Sequence, residues 1–148
     1  MKEKIVSNEG KIFKDEKIYE TEYFEVHQDW EIAIPGFYIV VPKRKLKSLL
    51  EFTDKEDIDF IRVVKKVRKA MFEVLGIKDV YYFQNEDSPY GFHLWMLPYC
   101  SWMKKVTGRG PGILVPVWKY AKNNLNTKKD IEKTKKAAQK MRDYFSKK

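Results

Sequence analysis

Cysteine and histidine are both scarce in this sequence of 148 residues. Cys100 is the single cysteine, so an intrachain disulfide and a cluster of thiolate metal ligands are both excluded. His27 and His93 are the two histidines, and no HExxH pattern occurs. Two histidines cannot build a catalytic zinc site without help from carboxylates. We therefore predict neither a metal nor a cofactor.

Long hydrophobic runs are also lacking. The longest apolar run covers residues 37–41, far short of the ~20 residues that span a bilayer. The first residues, MKEKIVSNEGK, have no apolar centre and no small-residue cleavage site, which is unlike a signal peptide. We expect a cytoplasmic protein that does not associate with membranes.

Negative charge is scarce in the last third of the chain. Residues 1–100 contain 16 Lys/Arg and 18 Asp/Glu, a net charge of −2, whereas residues 101–148 contain 14 and 3, a net charge of +11. Such a segment is attracted to phosphate, on a nucleotide or on a nucleic acid. A solvated, lysine-rich helix face explains the same composition, and both interpretations stay open.

The order of predicted elements favours an α+β fold in a single domain. Strand-like segments cover residues 22–27, 30–34, 37–41, 80–83 and 92–97, the last two forming an antiparallel hairpin. A capping box at Thr53 and Glu56 begins a helix over residues 54–75, whose apolar stripe comprises Ile58, Ile61, Val64, Val67, Met71 and Val74. Helices are also predicted over residues 113–125 and 128–145. We expect an antiparallel sheet of about five strands with the long helix packed on it.

Residues 91–97 contain the most informative pattern. Strand alternation places Gly91, His93 and Trp95 on one face, and the wholly apolar Phe92, Leu94 and Met96 on the other. A glycine beside a histidine leaves room for a ligand. His93 is then either a half-exposed structural histidine or a reactive imidazole at a cleft.

Four segments, in order and spacing, resemble the histidine-triad (HIT-like) family. They are PGFYIVVPKR at 35–44, SLLEFTDKE at 48–56, QN at 84–85 and GFHLWMLP at 91–98. The bacterial diadenosine-tetraphosphate-hydrolase-like subgroup is the most similar, and Gly91 and Trp95 stand where the first and third triad histidines would be. The resemblance covers residues 20–100, so residues 101–148 form a basic helical extension of a single domain over residues 1–148.

The resemblance implies that His93 is a nucleophile that attacks the α-phosphate of a nucleoside polyphosphate or phosphoramidate. A nucleotidyl-histidine forms and is then hydrolysed by water. Asn85, Ser88, Gly91 and Trp95 are the expected substrate-binding or phosphate-binding residues. Trp95 can donate one hydrogen bond but cannot deliver a proton as histidine does. A homodimer is also implied.

The glycine-rich segment at residues 107–112 contributes one further candidate, Arg109, for phosphate binding. The segment lacks the lysine of a P-loop. Two alternative functions remain. One is a degenerate module that binds nucleotides without turnover. The other is a nucleic-acid-directed protein that uses the basic third, as aprataxin-like relatives act on adenylated DNA ends.

Overall fold

Five strands form one fully antiparallel sheet in the order β1-β2-β3-β5-β4. The computed structural model describes residues 11–147, so most of the segment considered as a signal peptide lies outside the described residues. The strands are β1 (Lys17–Glu20), β2 (Phe24–Gln28), β3 (Tyr38–Pro42), β4 (Val80–Gln84) and β5 (Leu94–Pro98). The predicted α+β class, the five-stranded antiparallel sheet and the β4–β5 hairpin are confirmed.

One predicted strand is wrong. Residues 30–34 do not join the sheet, because the Asp29 carboxylate accepts the backbone N–H groups of Glu31 and Ile32 and folds the chain into a turn. The fifth strand is β1 instead. Sequence patterning missed it because β1 is four residues long and buries one of them, Ile18.

Helix α1 (Asp54–Leu75) has the predicted bounds. The Thr53 and Glu56 side chains cap it reciprocally, and Gly76 ends it with a positive φ of 68°. The predicted apolar stripe is partly wrong, because Ile58 and Ile61 are exposed. The buried face is rotated around the helix axis and consists of Glu56, Val63, Val67, Ala70 and Met71.

Three further helices follow the sheet: α2 (Met103–Val106), α3 (Leu114–Asn124) and α4 (Lys128–Ser146). The predictions of α3 and α4 are confirmed to within two residues at each end, and the short α2 was not predicted. Helix α4 packs on β1 and α1, and its Ala138 and Met141 join their core. Its lysines at 128, 129, 133, 135, 136 and 140 are exposed, so the positive charge of this segment faces solvent.

The two faces of the sheet have different surroundings. Tyr38 and Val40 of β3, and Leu94 and Met96 of β5, belong to the core beneath α1 and α4. The alternate residues of these strands face the opposite side. There α2 and α3 cover one end, over an apolar cluster that includes Phe37, Leu97 and Val117, and the other end is open. Within residues 11–147, no helix is both long and apolar enough to cross a bilayer.

Candidate active site

A cavity of about 920 Å³ opens on the sheet face opposite α1. Its floor is formed by alternate residues of β3 and β5, and its walls by the chain after β2, the loop after β3 and the loop between β4 and β5. The lining residues are Lys11, Asp29, Trp30, Glu31, Ile39, Val41, Pro42, Lys43, Arg44, Lys45, Leu46, Asn85, Ser88, Tyr90, Gly91, Phe92, His93 and Trp95. Five of the six predicted site residues, all except Arg109, are therefore brought together.

His93 lies at the entrance to β5, which begins one residue later and not at Phe92 as predicted. Its side chain is buried, and Nδ1 lies 2.9 Å from the carbonyl oxygen of Gly91. Because a carbonyl oxygen only accepts, Nδ1 carries the proton and the lone pair is on Nε2. Burial lowers the pKa of His93, and the Gly91 carbonyl partly opposes this effect. The imidazole is therefore neutral and nucleophilic at pH 7.

This pKa shift has a measurable consequence for any reaction in which His93 is the nucleophile. We expect kcat/KM to be constant around pH 7 and to fall on acidification through a pKa below the ordinary value of about 6.5. The sign follows from the cause, since burial disfavours the protonated imidazole that lacks a lone pair. A pH–rate profile of kcat/KM tests this, and a decline whose midpoint lies above pH 6.5 would contradict it.

Gly91 has a backbone conformation that suits glycine. Its φ is +88°, and a Cβ added to it would lie 2.9 Å from the backbone oxygen of Leu46. The next residue, Phe92, donates its N–H to that same oxygen at 2.7 Å. This hydrogen bond connects the loop after β3 to the loop before β5. The close approach of the two loops leaves no space for a side chain at position 91, the first position of the triad-like segment.

Trp95 packs directly against His93. The two rings are perpendicular, with their centroids 4.4 Å apart. The indole Nε1–H donates to Asp29 Oδ2 at 3.1 Å. A single hydrogen bond between residues far apart in sequence therefore sets the orientation of the indole beside His93.

Asp29 is a site residue that the sequence analysis missed. It is 2% exposed, and its Oδ1 accepts the N–H groups of Glu31 and Ile32 at 3.0 and 3.1 Å. Burial raises the pKa of this carboxyl to about 7, and the three donated hydrogen bonds oppose the shift. The available signal was an aspartate directly after a strand-like segment, followed by a turn.

Asn85 and Ser88 lie on the wall between β4 and β5. Asn85 donates from Nδ2 to Asp87 at 2.5 Å, and its buried Oδ1 has no hydrogen-bond partner among residues 11–147. Ser88 Oγ accepts the N–H of Tyr90 at 3.1 Å, which leaves the hydroxyl proton for another acceptor. Asn85 thus offers a ligand an acceptor, and Ser88 offers a donor.

Arg109 does not reach this cavity. Its guanidinium lies over the ring of Tyr99, 5.7 Å from the centroid, and the neighbouring Gly110 donates its N–H to the hydroxyl of Tyr81 at 2.8 Å. Both tyrosines pack with the cluster beneath α2 and α3. The loop therefore sits at the covered end of the sheet face, and Arg109 is not positioned to bind a ligand beside His93.

Four cations line the cavity, and the sequence analysis selected none of them. Two are already paired: Lys43 with Glu20 at 2.6 Å, and Arg44 with Glu56 at 2.8 Å. The other two are Lys11 and Lys45, which have no carboxylate within 4.0 Å in the described part of the chain. Lys11 instead lies over the ring of Trp30, 5.0 Å from its centroid. The cavity therefore has free positive charge and suits an anionic ligand.

Within residues 11–147, no three His, Cys, Asp or Glu side chains are grouped so that they could hold a metal ion. The cavity itself presents several polar or ionisable side chains. These are a neutral imidazole, hydroxyl and ammonium donors, and a buried carboxyl.

Solved structures with the same fold include two bacterial proteins and one archaeal protein. A HIT-like protein of Bartonella henselae, described as involved in cell-cycle regulation, has 21% identity and a TM-score of 0.56, over 86% of this chain and 84% of its own. A zinc-bound histidine-triad family protein of Mycobacterium smegmatis has 16% identity and a TM-score of 0.61, over 92% and 87%. A hypothetical histidine-triad nucleotide-binding protein of Sulfolobus tokodaii has 18% identity and a TM-score of 0.60, over 88% and 85%.

At these low identities, the structural similarities show a shared fold and do not assign a ligand or an activity to this chain. The search of curated proteins gives no match. The family model of the HIT domain, however, matches residues 11–144, which include every strand, α1 to α3 and most of α4. HIT-family proteins are generally nucleotide-binding hydrolases or transferases. From this match and the shared fold, the chain belongs to the HIT domain family.

Proposed function

We propose that this protein is a nucleotidyl hydrolase that acts at the α-phosphate of a nucleoside polyphosphate or phosphoramidate, with His93 as the nucleophile. The observation that carries the proposal is the state of His93. Its Nδ1 is committed to the Gly91 carbonyl, its pKa is lowered by burial, and it lines a cavity large enough for a nucleotide. Nε2 has no hydrogen-bond partner among residues 11–147.

The reaction takes two displacement steps at phosphorus. In the first, the Nε2 lone pair forms a bond to the α-phosphorus, and the bond to the leaving group breaks with its electron pair going to that group. In the second, water attacks the same phosphorus, releases one proton to solvent and returns the lone pair to His93. The Gly91 carbonyl stabilises the imidazole in both steps, because Nδ1–H donates to it more strongly when the ring becomes positive.

The remaining wall residues supply binding groups for the nucleotide. Ser88 can donate its hydroxyl proton to a phosphoryl oxygen, and the ammonium of Lys45 adds positive charge. The orphaned Oδ1 of Asn85 is an acceptor, which suits a hydroxyl or N–H group of the ligand. Donors fixed before the reaction stabilise charge that develops in the transition state.

The direct test is incubation of the protein with nucleoside polyphosphates and nucleoside phosphoramidates labelled at the α-phosphorus. We expect release of the nucleoside monophosphate and, after a rapid quench, label bound covalently to the protein through an acid-labile P–N bond. A nucleotide-binding module without turnover would show affinity in equilibrium binding but neither product nor labelled protein. That result would contradict the proposed hydrolase.

We also propose that the protein is a homodimer. Strand β4 lies at the edge of the sheet, with one side of its backbone unpaired in the described region. Large apolar side chains are exposed on this strand and on α1, the helix that precedes it in the chain: Tyr82 on β4 at 49% and Phe72 on α1 at 56%. An open edge strand next to exposed apolar residues is typical of a surface that a second chain covers.

Light scattering on the eluted protein tests this second proposal. We expect the mass of a dimer for the wild type and of a monomer for Phe72→Glu combined with Tyr82→Lys. Val115→Lys is the matched control, because Val115 is similarly exposed, at 60%, but lies on α3 and belongs neither to β4 nor to α1. A wild-type protein that stays monomeric at high concentration would overturn the dimer and leave the proposed reaction unaffected.

A further inference from the structure

We propose that Trp95, held in place by Asp29, makes this site specific for substrates whose leaving group departs as an anion. The substrate class is then the nucleoside polyphosphates and related phosphoanhydrides, and phosphoramidates are excluded. The inference rests on the function proposed above and narrows it. Trp95 is the specificity-determining residue, and Asp29 acts through it as a positioning residue.

The two candidate substrates differ in what their leaving groups require. When His93 displaces a polyphosphate, the breaking P–O bond gives its electron pair to a phosphate oxygen, which is stable as an anion near neutral pH. When His93 displaces an amine, the breaking P–N bond gives its electron pair to a nitrogen, which departs only if that nitrogen receives a proton. A phosphoramidate therefore needs a general acid beside His93.

The side chain that packs against His93 cannot act as this acid. An indole N–H donates hydrogen bonds but does not ionise in the range of enzyme chemistry. In addition, the Nε1–H of Trp95 is already donated to Asp29 at 3.1 Å. On the other side of His93, Gly91 has no side chain. Neither residue of the triad-like segment can thus protonate a leaving nitrogen.

Asp29 lines the same cavity but does not present a proton to it. Its two oxygens accept three N–H groups, from Glu31, Ile32 and Trp95, which occupy three of the about four acceptor positions of the carboxyl. It is also 2% exposed, with the edge of the indole directly against it. The carboxyl therefore orients Trp95 and does not serve the leaving group.

The cavity does offer groups that stabilise an anion without giving up a proton. Lys45 and Lys11 line it, and neither has a carboxylate within 4.0 Å in the described chain. An ammonium attracts a departing phosphate by charge and by hydrogen bonds. The cavity therefore supplies cations, and the triad-like segment supplies no acid to the leaving group. This arrangement suits an anionic leaving group and does not suit an amine.

The dependence of the hydrolysis rate on the leaving group tests the proposed specificity with the wild-type protein. The substrates are adenylyl esters of substituted phenols, from acidic nitrophenols to phenol itself, together with an adenosine polyphosphate and an adenosine phosphoramidate. Without a general acid, the rate should fall steeply as the leaving group becomes more basic, on the order of 10²-fold or more across the phenol series. The polyphosphate should be hydrolysed, and the phosphoramidate should not.

Trp95→His tests the residue itself. An imidazole at position 95 can share one N–H with Asp29 and present its other nitrogen to the cavity, which creates the missing acid. We expect a shallower leaving-group dependence and phosphoramidate turnover at least about tenfold above wild type. Trp118→His is the matched control, because Trp118 contacts Trp95 with ring centroids 5.9 Å apart but does not line the cavity. It should leave the dependence unchanged.

Two results would overturn the inference while the proposed function stands. One is a wild-type enzyme that hydrolyses phosphoramidates as fast as polyphosphates, or that shows a shallow dependence on the leaving group. The other is an Asp29→Asn variant whose hydrolysis rate falls more steeply with leaving-group basicity than that of the wild type. Asparagine keeps an acceptor for Trp95 but cannot ionise, so this result would identify Asp29 as the acid. Failure of the wild type to hydrolyse any of these substrates would instead contradict the proposed function.

Discussion

His93→Ala is expected to reduce turnover of a nucleoside polyphosphate by a factor on the order of 10⁴–10⁶, because the reaction loses its nucleophile. The fold should survive, since His93 lines a cavity and makes one hydrogen bond, to Gly91. Steady-state kinetics measure the loss, and a thermal melt shows that the variant is folded. The rapid-quench experiment should also show no labelled protein.

His27→Ala is the control for this experiment. His27 lies on β2, outside the cavity, and its Nε2 is 2.9 Å from Glu25. The same substitution there should leave kcat within about twofold of wild type. If His93→Ala were to retain wild-type turnover, or if both histidine variants lost activity equally, the assignment of His93 as nucleophile would be wrong. The family membership would then report the fold alone.

Gly91→His, which adds a histidine at the first position of the triad-like segment, is expected to destabilise the protein and not to increase its activity. A non-glycine residue at φ +88° costs about 1–2 kcal/mol, and the Cβ at 2.9 Å from the Leu46 oxygen adds a clash with backbone that cannot move freely. We expect a loss of about 2–4 kcal/mol in the free energy of unfolding. In a chain of this size that lowers Tm by about 5–15 °C.

Urea denaturation of Gly91→His beside Gly112→His measures this effect. Gly112 is exposed, and a Cβ there meets no atom within 4 Å, so its substitution should cost less than about 1 kcal/mol. Equal stability of the two variants would show that the contact between Gly91 and Leu46 is not a constraint. A gain of turnover in Gly91→His would show that the missing first histidine can be restored.

Local sequence patterns predict several elements of this protein well. The helix α1 could be placed to the residue because a capping box and a C-terminal glycine act within a few residues of the helix ends. The grouping of Gly91, His93 and Trp95 on one side of the chain follows from strand alternation, which needs no knowledge of neighbouring strands. The side of the sheet on which His93 lies was therefore predictable, whereas its role as a nucleophile stays a prediction.

Other features depend on residues that are far apart in sequence. Nothing in the local pattern brings Asp29 to Trp95, 66 positions later, or brings the Leu46 carbonyl to Gly91. The short β1 also becomes a strand only because β2 and α4 pack against it. In each case the hydrogen bonds or contacts that determine the feature form between segments that come close together only in the folded chain.

The site itself shows the same division. From the residues alone, one imidazole could be placed beside a glycine and an indole on one face of a strand. That pattern left open whether it was a structural histidine or a reactive group at a cleft. The folded chain shows that the imidazole is neutral, that the indole N–H is occupied, and that Arg109 lies elsewhere while Lys45 lines the wall. These properties could not be predicted from local patterns, because a pKa depends on burial and a hydrogen bond depends on a partner. Both come from the segments that the fold places around a side chain.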